Sequence, residues 1–93
     1  MDISVSTLFI SDFEKLRKEN PKHCVKTMQL VFGAMDAVAT YSNALHGLGH
    51  PEALGENLSG CYSREITEKH RLVYRYSEQK DVIQLISCYG HYS

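Results

Sequence analysis

The chain has 93 residues, 43% hydrophobic and 23% charged, with a formal net charge of −1. That length fits one domain with one hydrophobic core, and no apolar run approaches the roughly 20 residues of a membrane helix. Residues 1–50 hold five Lys/Arg and five Asp/Glu and residues 51–93 hold five and six, which excludes nucleic-acid binding by bulk positive charge.

The N-terminus lacks a basic segment followed by an apolar stretch, so no signal peptide is predicted. Cys24, Cys61 and Cys88 leave one thiol over in any disulfide pairing, and reduced cysteines in a cytoplasmic protein are the simplest expectation. Asn57-Leu58-Ser59 has the form of a glycosylation sequon, read as chance in such a compartment.

In chain order, Ile3 to Ile10 alternates at first (Ile3, Val5) and ends apolar (Leu8, Phe9, Ile10), which predicts a strand. Ser11-Asp12-Phe13-Glu14 has the form of a capping box, predicting a short helix that ends near Glu19. Asn20-Pro21 then starts a second helix, with Asn20 as N-cap and Pro21 where its missing N–H costs nothing. Cys24, Met28, Val31, Met35 and Val38 recur at spacings of three and four and predict its buried stripe. Gly33 interrupts that helix as a point of close packing, and the pattern fades over Tyr41 to Asn43.

Residues 43–59 carry Asn43, Gly47, Gly49, Pro51, Gly55 and Asn57 and read as a long loop, which in so small a domain points to function. Three strands follow: Gly60 to Ile66, His70 to Ser77 and Val82 to Tyr89. The turns at Thr67–Lys69 and Glu78–Asp81 are short enough for an antiparallel meander. The expected class is α+β: an N-terminal strand, two helices and a three-stranded meander in one domain, with both helices on one sheet face. The opposite face is left for a site.

Glu52 in the loop, Arg71 at the start of the second meander strand and His91 beyond the last strand are the candidate chemical groups. Cleaving RNA through its own 2′-OH needs a base, an acid for the departing 5′ oxygen and a cation for the charge on phosphorus. A carboxylate, an imidazole and a guanidinium supply these without a metal. The reaction requires a 2′-OH, so it acts on RNA and not DNA. Taken one by one, a loop Glu, a strand Arg and a terminal His are ordinary surface residues. Alternation along the strand sets Arg71, Val73 and Arg75 on one face and Leu72, Tyr74 and Tyr76 on the other. Tyr62, Tyr74 and Tyr76 read as packing, and Tyr89 and Tyr92 as possible site residues. Cys88 and His91 have a Cys-x-x-His spacing, with His46, His50 and His70 elsewhere, but no second ligand pair has a zinc-site spacing.

Gly47-Leu48-Gly49-His50-Pro51-Glu52-Ala53-Leu54, Asn57-Leu58-Ser59-Gly60, Ser63-Arg64, Ile66, His70-Arg71-Leu72-Val73-Tyr74 and His91-Tyr92, in that order, resemble the YoeB/Txe toxins of bacterial type II toxin–antitoxin pairs, within the RelE-like fold. The resemblance covers residues 47–92; residues 1–46 match only in their order of elements. It implies ribosome-dependent cleavage of mRNA without metal or other cofactor. It implies Glu52 as general base, Arg71 as the arginine that steadies the phosphate, His91 as general acid, Tyr92 as the adjacent C-terminal tyrosine, and Arg64 as a basic residue that with Arg71 contacts RNA. The implied partners are a YefM-like antitoxin, the ribosome with its mRNA, and a second copy in a homodimer, with no membrane. Gly55 stands where the family commonly has Lys, Glu65 where a second Arg usually follows Arg64, and Tyr89-Gly90 where Arg-Tyr is commoner, while Ser93 extends the usual end. The first three changes remove positive charge. They set a second function beside the first: a toxin-fold protein with little activity that chiefly binds an antitoxin.

Overall fold

The computed structural model describes residues 1–91; Tyr92 lies outside them. Strand β1 (Asp2–Val5) leads into helices α1 (Thr7–Glu19) and α2 (Pro21–Tyr41). A short strand β2 (Glu52–Ala53) and a 3₁₀ turn (Glu56–Leu58) precede β3 (Cys61–Glu65), β4 (Arg71–Ser77) and β5 (Val82–Ser87). The five strands form one sheet in the order β1-β5-β4-β3-β2. The β3-β4-β5 meander is antiparallel as expected, and β1 joins β5 in parallel.

The first strand is shorter than its apolar run. Ser6, not Ser11, caps α1: its hydroxyl oxygen accepts from the Phe9 amide at 2.9 Å and its O–H donates to the Ile86 carbonyl at 2.7 Å. Leu8, Phe9 and Ile10 are therefore helical. Phe9, Asp12, Phe13 and Leu16 recur at helical spacing, and Phe9, Leu16 and Phe13 belong to or pack against the core, so burial of that stripe outweighs the β preference of the run. Glu14, expected to close a capping box with Ser11, instead pairs with Arg17 one turn on.

Helix α2 begins as the sequence predicts. The Asn20 side chain accepts from the Lys22 amide, with Pro21 at the first position. Its buried stripe is turned relative to expectation: Thr27, Leu30, Val31, Ala34 and Ala37 are buried, while Cys24, Met28 and Met35 pack at the margin of the core. Small residues make up part of this stripe, which a reading weighted to large apolar side chains misses. Gly33 does not mark a tight contact, since a Cβ there would come no nearer than 4.0 Å to the Arg64 guanidinium.

The core joins Phe9 and Leu16 of α1 and Leu30, Val31 and Ala34 of α2 to Leu72, Tyr74, Ile83 and Leu85 of the sheet. Both helices thus cover one sheet face. The register pairs Val73 with Ser87 but Tyr74 with Leu85, so β5 carries one extra residue at Ile86. This bulge re-aims the end of the strand and turns Cys88, fully buried, into the core.

A sheet-face site with Glu52, Arg71 and the segment before His91

Cross-strand partners point to the same side of a sheet, so the register sorts the face opposite the helices into rows. Glu52 pairs with Ser63, Ser63 with Val73 and Val73 with Ser87. The next row pairs Glu65 with Arg71. The Arg71 amide donates to the Gly90 carbonyl at 3.0 Å, which sets His91 beside that row. Glu52, Arg71 and the segment carrying His91, scattered over 40 residues of sequence, are therefore brought to neighbouring rows of the face opposite the helices. Glu52 and His91 are exposed, and Arg71 is half-buried.

Glu52 was expected in a loop. It lies in an edge strand, and the approach to it is built on Arg64. That side chain is fully buried. Its Nε donates to the Tyr74 hydroxyl at 2.9 Å, Nη1 to the Leu48 carbonyl at 2.8 Å, and Nη2 to the carbonyls of His46 at 2.7 Å and Ala44 at 3.1 Å. Gly49 packs against the same arginine, and its carbonyl accepts the Glu65 amide at 2.6 Å. With φ of +88° and a hypothetical Cβ 2.7 Å from Leu30 Cδ2, Gly49 admits no other residue without displacement. Arg64 thus differs from its expected place at the RNA: strand parity turns it to the helix side, where loop carbonyls occupy its donors. It shapes the route to Glu52 instead.

Arg71 is held by the turn before it. Its Nη1 donates to the Thr67 carbonyl at 2.6 Å, and its Nη2 lies 3.8 Å from the Glu65 carboxylate, whose other oxygen is 3.9 Å from His50 Nε2. Arg75 lies on the same side, exposed, with Nη2 on the Cys61 sulfur. The Tyr62 and Tyr74 rings pack against each other, tilted by 30°, across β3 and β4 with centres 5.8 Å apart, as expected of packing residues. Burial raises the Tyr74 phenol above its usual range, partly countered by Arg64. The Tyr76 hydroxyl reaches Asp81.

The segment after β5 is pinned at three successive amides. Asp12, buried in α1, accepts from the Cys88 amide at 3.0 Å and the Tyr89 amide at 3.3 Å. Buried His70 accepts from the Gly90 amide at Nδ1, 2.9 Å, while its Nε2 meets Glu19 Oε1 at 2.8 Å. Tyr89, read as a possible site residue, lies over the His70 ring with its hydroxyl on Glu19 Oε2 at 3.0 Å. Hydrogen bonds from His70 and then Tyr89 hold the Glu19 carboxyl below the usual carboxylate range. The sequence signal for this network was His70 itself, a polar residue at the head of an apolar strand.

Cys88 is poorly suited to the zinc reading. Its thiol sits against the Phe9 carbonyl, and burial, with Asp12 beside it, pushes its pKa up to about 12. Among the described residues no group of three His, Cys, Asp or Glu is placed to hold a metal ion, and no helix is long and apolar enough to cross a membrane.

Residues 6–92 match the family described as the YoeB-like toxin of bacterial type II toxin-antitoxin systems. The chain belongs to this family. A toxin YoeB of Synechocystis is 37% identical over 75 residues, 81% of this chain and 79% of that protein. The toxin YoeB of Escherichia coli K12 is 45% identical over 53 residues, 57% and 61% of the two chains. Among solved structures, a YoeB/ParE toxin from Agrobacterium tumefaciens superposes with a TM-score of 0.82 at 30% identity, covering 99% of this chain and 100% of that one. The toxin fold of a YoeB–YefM complex from Staphylococcus aureus gives 0.77 at 34% identity, covering 99% and 98%. The family fold is thus shared along the whole chain, including residues 1–46, where the motifs are silent.

Proposed function

We propose that this chain is the toxin of a toxin–antitoxin pair and cleaves mRNA on the ribosome. The observation that supports the reading is that the strand register puts Glu52, Arg71 and the His91 segment on the sheet face opposite the helices. Glu52 takes the proton from the 2′-OH, whose oxygen attacks the adjacent phosphorus. The P–O5′ bond breaks, and His91 gives its proton to the departing oxygen. The products are a 2′,3′-cyclic phosphate and a 5′-hydroxyl. Arg71 faces the charge that builds on the phosphoryl oxygens, and Tyr92, next to His91 in sequence, is given a part in the step by the resemblance to the family's C-terminal tyrosine. The side chains account for each proton and charge the step moves, so no cofactor is invoked.

A YefM-like antitoxin is the partner, supported by the solved YoeB–YefM complex of the Staphylococcus relative. A homodimer is supported by the YoeB dimer from the same organism, 33% identical to this chain. Primer extension on mRNA after tightly controlled induction tests the activity. Cleavage dependent on ribosomes is expected, with His91→Ala and Glu52→Gln each losing about 10²–10⁴-fold, and growth rescued by a co-expressed YefM-like antitoxin. Cleavage by His91→Ala at the wild-type rate would remove the role given to His91. The second reading, an antitoxin-binding protein of low activity, is favoured by one contact, Glu65 on Arg71. It predicts antitoxin binding with no cleavage above background.

A further inference from the structure

His70, buried just before β4, is an ionisable side chain that the cleavage step leaves unused. Its two ring nitrogens have different work. The Gly90 amide donates to Nδ1 at 2.9 Å, so Nδ1 is the unprotonated acceptor. Nε2 then carries the proton and donates to Glu19 Oε1 at 2.8 Å. This defines a neutral imidazole in one tautomer, oriented by a carboxylate. Tyr89 above the ring and the His23 ring beside it complete the enclosure.

The consequence lies one residue further on. Gly90 has φ of +80°, a turn in which the peptide plane sets the direction of His91. Its amide is held by His70 and its carbonyl by the Arg71 amide. Upstream, Asp12 holds the Cys88 and Tyr89 amides. The chain thus arrives at His91 clamped on both polar groups of the preceding residue, and His70 supplies one clamp while leading directly into Arg71.

We propose that His70 is a positioning residue for His91, with Glu19 fixing the tautomer that lets Nδ1 accept the Gly90 amide. The inference rests on the proposed cleavage, in which His91 delivers the proton. His70 touches no reacting atom. A displaced acid slows the chemical step far more than it weakens binding.

Two substitutions separate the halves of the clamp. In His70→Asn the side-chain oxygen stands near the place of Nδ1 and keeps an acceptor for Gly90. In His70→Gln the amide reaches the place of Nε2 and keeps the Glu19 contact but not the Gly90 one. The full-length chain is assayed on mRNA-programmed ribosomes, scaled to folded fraction, and Gly90 amide exchange is followed by NMR. His70→Gln is expected to lower the maximal cleavage rate about tenfold to a hundredfold, with half-saturation little changed and Gly90 exchange accelerated. His70→Asn is expected to retain most of the rate and the Gly90 protection. Equal rates in the two variants, or Gly90 protection unchanged in His70→Gln, would overturn the proposal. If the wild-type chain does not cleave, the cleavage reading fails, and the Gly90 exchange comparison still decides whether His70 clamps the segment.

Discussion

The Glu65 carboxylate lies 3.8 Å from the Arg71 guanidinium, as its cross-strand partner on β3 and β4. The family resemblance leads one to expect an arginine at position 65; the glutamate there instead neutralises part of the Arg71 charge. A substrate phosphate has to compete with Glu65 for the same guanidinium.

Removing that competition is expected to raise activity. A half-exposed pair of this kind is worth about 0.2–1 kcal/mol, so Glu65→Gln should increase cleavage at subsaturating ribosomes about 1.4- to 5-fold. Glu65→Arg should do more and steepen the fall of binding with salt, because it adds a phosphate contact. Primer extension across a salt series measures both. An unchanged or lower rate in Glu65→Arg would show that Glu65 does not limit Arg71.

Two glycines on the approach to the site should respond oppositely. Gly55 has φ of −117°, and a Cβ there meets nothing within 4 Å. Gly55→Lys should add the positive charge expected from the family resemblance and keep stability within about 0.5 kcal/mol. Gly49→Ala forces a Cβ to 2.7 Å from Leu30 at positive φ, which should cost about 2–3 kcal/mol. Urea unfolding of both variants gives the comparison, and equal midpoints would contradict it.

Arg64 should behave as a framework residue. Arg64→Met keeps much of the buried volume but abandons the carbonyls of Ala44, His46 and Leu48. A loss of about 2–4 kcal/mol is expected, with faster amide exchange in residues 43–51. A variant that folds normally but loses RNA binding would instead return Arg64 to the RNA.

Cys88 makes the fold sensitive to alkali. Its pKa is about 12 in the fold against 9 in the open chain, so the unfolded state releases the proton first. The associated stability is complete below pH 9 and is lost as pH rises through 12, up to about 4 kcal/mol. The melting temperature should fall between pH 8.5 and 11, and Cys88→Ala should flatten the slope. Parallel slopes in the two proteins would assign the alkaline loss elsewhere.

Local signals in the sequence determined the elements that have their own punctuation. Asn20-Pro21 starts α2 as read, and the polar turns divide the three strands of the meander within a residue or two of where they lie. The candidate groups Glu52, Arg71 and His91 were legible from residue type and motif spacing. Tertiary structure decided what depends on contacts distant in sequence. Phe9 and Leu16 meet a core formed mostly by later residues, and that burial moved the start of α1 from Ser11 to Ser6. Glu52 became a strand residue only because β3 offers it a partner at Ser63. Strand parity sent Arg64 inward to the loop carbonyls and set Glu65 against Arg71. A basic residue looks the same in sequence on either face of a sheet, and only the pairing register says whether it meets backbone or solvent.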